Sequence, residues 1–560
     1  MTRNSESRFA TNPVNMDIRR SRFDRSNGLK TTFNTSQLIP IYVDEVLPGD
    51  TFRMDMACII RMSTPIFPVM DNADADIYFF FVPNRLTWEH WKEFNGENTE
   101  YKWTQEVIYE IPQLKAPAEG FGELTLHDYF GLPTKVPLIE VSHLPYRAYC
   151  LIWNEWFRDE NLQDPVYIFK GDSTLNGINT MPDEKQYAQL GGMPLTVNKH
   201  HDYFTSALPE PQKGPAIKLP VSGDIPVFSS DSLHNLSNAG MKFKPTPSIT
   251  NTNRYPVSIA NRSNSSPNEP FDNIYVETTG TSFSGTGNHN LVPNNLWAAA
   301  SETLAITINE MRSAFQIQKL FERDARGGSR YIELIKSHFG VTSPDARQQR
   351  PEYLGGHRFP INVDQVLQTS STNEVSPQGN TAAYSLTGIR QSLFTKSFTE
   401  HGLVIGLICV RTKHTYQQGI ERMWSRKKRF EYYWPALANI GEQAILNKEL
   451  YAQGPLVGNG DEEAFGYQEA WADYRYKPSR VTGSFRSNYH TTLDSWHYAD
   501  NYNAQPFLSD GWIRETKNNM DRTLAVTSSV EPQFIADMYF RNISTRPMPV
   551  YSIPGLIDHF

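Results

Sequence analysis

Between residues 38 and 82 the apolar positions fall in two patterns. Phe52, Met54, Met56 and Cys58 alternate with Arg53, Asp55 and Ala57 behind a Pro48-Gly49-Asp50 turn, which predicts a strand with one face buried and the other facing water. After Pro65 and Pro68, the run Asp76–Val82 is almost wholly apolar and aromatic until Pro83-Asn84 stops it, as expected of a strand covered on both faces. Gly402–Val410, Arg480–Phe485 and Phe534–Tyr551 are further strand-like runs. A helical period replaces the alternation in two places. Thr307 and Glu310 form a capping box that opens a helix closing at Gly327-Gly328. Its apolar residues, among them Met311, Phe315, Ile317 and Leu320, cover most of the circumference, so it is expected to be mostly buried behind a cationic edge of Arg312, Lys319 and Arg323. The second helix, around residues 144–161, concentrates Tyr146, Tyr149, Trp153, Trp156 and Phe157 and suits the anchoring of loops.

Short strands separated by long connections predict a mainly β chain, a sandwich or barrel inflated by insertions. The chain has 560 residues, of which 39% are hydrophobic and 20% charged, a composition that excludes wholesale disorder, a rod or a collagen-like fibre. Its longest apolar runs fall far short of the roughly 20 residues of a membrane-spanning helix. Cys58, Cys150 and Cys409 show no CxxC spacing and are expected to be buried thiols of a reducing compartment. No apolar stretch of signal-peptide type follows the first arginine.

Formal charge is −8, so a polyanionic partner has to be met by a local basic patch. Residues 1–37 open the chain as a basic arm, with Arg19, Arg20, Arg22, Arg25 and Lys30 as candidates for phosphate or subunit contact. Arg426, Lys427, Lys428 and Arg429, bracketed by Trp424, Phe430, Tyr432 and Tyr433, combine charge with stacking surfaces as a single-strand nucleic-acid binder does. The same segment also reads as a solvated loop. Residues 222–296 differ from their surroundings, with 31 Asn, Ser or Thr and 9 charged residues among 75. Long polar connections of this kind are usually functional, and the segment is expected to be a surface excursion carrying Asn251, Asn253, Arg254, Tyr255, Asn261, Asn264, Asn268 and Tyr275.

Catalytic chemistry finds little support. The chain contains no GxxxxGK[ST], HExxH, GxSxG or GxGxxG motif. His200-His201-Asp202 is too contiguous to chelate a metal on an extended backbone. Glu89 and Glu93 read as the wet face of an aromatic helix. No cofactor or metal is expected.

Several blocks carry a family resemblance: LIPIYVDEVLPGDTF at 38–52, LPYRAYCLIWNEWFRDENLQ at 144–163, KHHDYFTSALPEPQKGP at 199–215, YYWPALANIGEQAILNKELYAQG at 432–454 and YRYKPSRVTGSFRSN at 474–488. In these blocks the chain resembles the major capsid proteins of microviruses, small icosahedral single-stranded-DNA bacteriophages, and within them the gokushovirus branch. The resemblance implies an eight-stranded viral jelly roll, divided here as an arm (1–37), a first part (38–221), an insertion (222–296) and a second part (297–560). It further implies sixty copies in a T=1 shell around circular single-stranded DNA, assembled in the bacterial cytoplasm without membrane insertion. Implied partners are scaffolding, pilot and small DNA-binding viral proteins, and a host-cell receptor, carbohydrate included, met by the insertion at the threefold axes. The alternatives carried beside it are a jelly-roll carbohydrate-binding protein or glycosidase and a monomeric nucleic-acid-binding module.

Overall fold

The structure, a computed structural model, describes residues 19–97, 108–180, 185–215, 217, 227–229, 243–245, 291–293, 296–298, 308–345, 349–370, 372, 377–455 and 460–551. It divides into two compact units, one formed by residues 1–213 with 322–560 and the other by residues 214–321.

The larger unit is built on two sheets, each four strands across. One sheet combines β1 (Ser21–Asp24) and β2 (Asn27–Phe33), which follow each other along one edge, with β4 (Thr51–Met62), β7 (Thr387–Ser397) and β9 (Phe534–Arg546), in the order β1/β2, β9, β4, β7. The other combines β3 (Ile39–Val46), β5 (Ala73–Pro83), β6 (Glu352–Pro360) and β8 (Gly402–Thr412), in the order β3, β8, β5, β6. All pairings within these two sheets are antiparallel. With β1/β2 counted as one interrupted strand, eight strands fill two sheets and consecutive strands repeatedly change sheet, which is the jelly roll.

The strand periodicity explains how the sheets face one another. Phe52, Met54, Met56, Cys58 and Ile60 of β4 and Phe534, Ala536, Met538 and Phe540 of β9 meet Ala75, Ile77, Phe79 and Phe81 of β5 in the central core. Gly49, at φ +90, makes the turn into β4, a conformation that costs glycine little. Strand β5 is buried at nearly every position: its odd residues enter the core, while Phe80 and Val82 enter a second apolar layer on the far side of their sheet. That layer is closed by α1 (Leu144–Ile152), which continues into a π-helical turn at Trp153–Phe157. Tyr146, Tyr149, Ile152 and Trp153 are buried there, as their spacing predicts. Arg147, fully buried on α1, donates to the carbonyls of Thr87 and Gly171 and so ties separate segments of the β5–β6 connection to one another; burial lowers its pKa to about 10. A third apolar cluster, with Tyr203, Phe204, Tyr416, Ile445, Leu450 and Phe465, organises the long connection between β8 and β9.

Four features depart from the sequence reading. The framework begins at Ser21, inside the stretch read as an arm, because β1 and β2 hydrogen-bond along β9; Asn27–Phe33 has too few apolar residues to announce a strand. The helix α2 (Ile308–Gly327) has the expected extent, but Met311, Phe315, Ile317 and Leu320 are exposed in the single chain, since amphipathic spacing shows that a face needs covering without showing what covers it. Its capping Thr307 lies outside the described residues. The run Arg480–Phe485 holds a 3-10 turn at Gly483–Phe485 and an isolated bridge from Arg480 to Tyr416 in place of a strand. The smaller unit extends beyond residues 222–296 at both ends. In it Val227–Ser229 pairs with Leu296–Ala298, and Phe243–Pro245 with Leu291–Pro293, so the chain leaves and returns as nested antiparallel pairs. No helix among the described residues is long and apolar enough to cross a membrane.

Candidate assembly surfaces and basic patches

The five arm cations do not act as one group. Arg20 donates to the Gly49 carbonyl and to Thr51 Oγ1, the latter at 3.1 Å. Arg25 donates to Asp44 Oδ2 at 2.5 Å, an oxygen that also accepts from Tyr42 at 3.0 Å. Arg25 thus fastens the β1–β2 junction to β3, at the edge of the other sheet, and Arg20 fastens the start of β1 to the turn into β4. Arg19, Arg22 and Lys30 are exposed, and Lys30 stands 3.7 Å from Asp537.

The second patch also divides. The guanidinium of Arg426 is drawn inward: it bonds Asp473, donates to the Glu431 carbonyl at 2.8 Å and lies 4.4 Å over the Tyr474 ring. The Glu431 carboxylate accepts from the backbone N–H groups of Lys427 and Lys428, and these bonds lower its pKa. Arg426 thus holds the loop, while Lys427, Lys428 and Arg429 remain exposed, the last packed 4.7 Å over Trp434. Around them Trp424 is 72% and Phe430 73% exposed. A groove of about 620 Å³ beside them is lined by Tyr416, Trp424, Tyr432, Tyr474 and Tyr476. Uncovered aromatic and cationic side chains around a concave apolar surface have the composition of a protein interface.

The residues weighed for chemistry serve other ends. Asp202 accepts from the backbone N–H groups of Phe204 and Thr205 and from the Tyr416 hydroxyl, so it folds its own loop. Burial, aided by Arg411 and Arg358, pushes the neighbouring His200 down to about 3. No cluster of three or more metal-ligating side chains occurs among the described residues. Glu89 lies before the single helical turn Trp91–Phe94 that carries Glu93. The three cysteines are free and buried, and burial raises the thiols of Cys58 and Cys409 to about 12. Residues Asn251, Asn253, Arg254, Tyr255, Asn261, Asn264, Asn268 and Tyr275 lie outside the described residues.

One charged network that sequence reading missed is fully interior. His414, just past β8, lies 3.1 Å from Asp500 and 3.0 Å from Glu515, and Lys199 stands 3.4 Å from Asp500. Burial alone would strip the proton from His414, yet the two carboxylates hold its pKa up to about 10. The same cations hold Asp500 well below the usual carboxylate range against the opposing effect of burial. Both ring nitrogens are occupied by carboxylates, so the imidazolium clamps the β8–β9 connection and offers no free nitrogen for acid–base work. His414, Asp500 and Glu515 are too far apart in sequence for any local spacing to reveal them.

A jelly roll whose loops present uncovered aromatics, and whose interior charges are spent on clamping those loops, defines a wall-forming subunit of viral type. The comparisons with known proteins are specific. The profile of the capsid protein (F protein) family matches residues 12–556, and the chain belongs to that family. It is 43% identical over 594 aligned residues to the capsid protein VP1 of Chlamydia phage 1, covering 98% of both chains. It is 41% identical to capsid protein VP1 of Bdellovibrio phage phiMH2K, covering 100% of this chain and 99% of that one. With capsid protein VP1 of Spiroplasma virus 4 it shares 43% identity, over 94% and 93% of the two chains. The chain is a structural capsid protein of microvirus type, a component of a virion.

Proposed function

We propose that this chain is the repeating unit of a T=1 shell of sixty copies that encloses a circular single-stranded DNA genome. The observation that carries the reading is the set of large apolar side chains that one copy leaves in water. Phe315 and Leu320 on α2, Tyr331 and Phe339 on α3 (Tyr331–Phe339), and Trp424 and Phe430 beside the groove are all exposed. Their burial by neighbouring copies is worth on the order of 25 cal/mol per Å² of apolar area before the cost of association. In this reading the loop Lys427–Arg429 lies at a contact between copies, and residues 222–296 meet the host-cell surface.

Electron microscopy and nuclease treatment of the purified material test the reading. Closed particles of one size holding nuclease-resistant single-stranded DNA are expected. A chain that stays monomeric while cleaving glycosides would replace the shell with the jelly-roll glycosidase. Deleting residues 235–288 tests the host-contact part: particles should still assemble and lose attachment to cells, and unimpaired attachment would contradict it.

A further inference from the structure

The sheet formed by β1/β2, β9, β4 and β7 has a second face, whose outward side chains are largely exposed among the described residues. Along β9 the residues alternate strictly, Phe534, Ala536, Met538 and Phe540 buried and Ile535, Asp537, Tyr539 and Arg541 exposed. Strand β4 repeats the pattern with Arg53, Ile59 and Arg61 outward. The charges on this face are unequal. Arg22, Lys30, Arg53, Arg61, Arg390 and Arg541 are exposed on it, set against Asp24, Asp55 and Asp537, although the chain as a whole carries −8. Two of the cations have loose partners, Lys30 at 3.7 Å from Asp537 and Arg53 at 3.9 Å from Asp55. Arg22, Arg61, Arg390 and Arg541 have no hydrogen bond or close ion pair among the described residues, although Asp24 stands near enough to Arg22 and Arg541 for both to help lower its pKa.

The register places an aromatic ring at the centre of this field. Tyr539 lies opposite Gly28 on β2 and Ala57 on β4, and Ala57 lies opposite Arg390 on β7. Its two lateral neighbours are therefore a residue without a side chain and one with a single methyl group, so both flanks of the ring are open to a planar group. Arg53 and Arg61 stand eight residues apart on one strand, about 27 Å at about 3.4 Å per residue, and the four strands extend the field to about 14 Å across. That is room for several nucleotides. Exposed cations in excess over carboxylates, set around a stacking platform, are what sequence-independent binding of a single strand requires.

We propose that this open sheet face receives the single-stranded genome, with Arg22, Arg61, Arg390 and Arg541 meeting phosphates and Tyr539 stacking on bases. The proposal rests on the shell reading above and fixes which side of the wall faces inward. The occupant is a polyanion and not a second copy of this chain, because a like face, with six cations against three carboxylates, would set an excess of about three positive charges against the same excess.

The test uses the full chain with Arg61, Arg390 and Arg541 all changed to Gln, beside a control with Lys427→Gln and Lys428→Gln. Binding of oligothymidylate is measured over a salt series. Each lost phosphate contact should lower the slope of log affinity against log salt by about 0.7, so the triple variant should lose about 2, with affinity at low salt falling on the order of tenfold to a hundredfold. The control should keep its slope. In packaging cells the triple variant should form closed particles with less DNA. An unchanged slope and full particles would overturn the proposal and leave the shell reading standing. A variant that forms no particles where the native chain does would show the face to be a contact between copies, which also overturns it. Absence of particles from the native chain would instead defeat the shell reading. Ultraviolet crosslinking of native particles gives a reading free of any substitution: adducts are expected on the peptide containing Tyr539, and adducts confined to other segments would contradict the assignment.

Discussion

The outer faces of the two sheets share a fold and differ in everything laid on top of them. On β5 the outward residues Phe80 and Val82 are sealed under α1 and its aromatic extension, whereas on β9 the outward residues Ile535 and Tyr539 are 58% and 52% exposed. Nearly half of the chain lies between β5 and β6, and the part of that connection that carries α1 is laid on one sheet and not on the other. The same alternation thus yields a hydrophobic seam on one sheet and a sparse cationic field on the other. The difference teaches that polarity across the wall is set by where the connections go, not by the strands themselves.

The contrast breaks most visibly at Phe80. Replacing it by Ala should cost about 3–5 kcal/mol, because its ring packs against Trp156, Phe157 and Tyr353. Denaturant unfolding of the dissociated subunit would show it as a lower midpoint. His414→Ala should cost a similar or slightly smaller amount, about 3 kcal/mol, since it leaves Glu515 without a cation in the interior and Asp500 with Lys199 alone. The network also predicts a pH dependence. His414 holds its proton up to about 10 when folded and loses it near 6.5 when unfolded. Its contribution is therefore complete below pH 6.5 and fades as the pH climbs towards 10. Midpoints measured from pH 6 to 10 should fall, and the fall should shrink in the Ala variant. Arg25→Ala, which releases a half-exposed ion pair with Asp44, should cost about 1 kcal/mol or less. The smallest effect is expected on the open face: Tyr539→Ala should change stability by about 0.5 kcal/mol at most. A large destabilisation there would mean that the face is covered.

How much of this could be read from the residues follows the range of the interactions. Strands β4, β5, β8 and β9 announce themselves because their periodicity is local and apolar, and the gathering of aromatics at residues 144–157 points to α1 for the same reason. Strand β2 does not, since Gly28, Lys30, Thr31 and Thr32 carry no alternation and the strand exists only through its pairing with β9. Arg426 and Lys427 look alike in the letters, but Asp473 and Tyr474, nearly fifty residues later, bury one charge and leave the other outside. The cationic face is the extreme case. Its six members come from five strands spread from Arg22 to Arg541, and only the register of the sheet makes them neighbours.

A reconstruction of purified particles by electron cryomicroscopy, with the sheets placed in the density, tests the central claim most directly. The account predicts a closed shell in which the open face of β1/β2, β9, β4 and β7 lines the lumen against nucleic-acid density, with α1 on the side away from it. A shell in which that face looks outward, or is buried between copies, would contradict it.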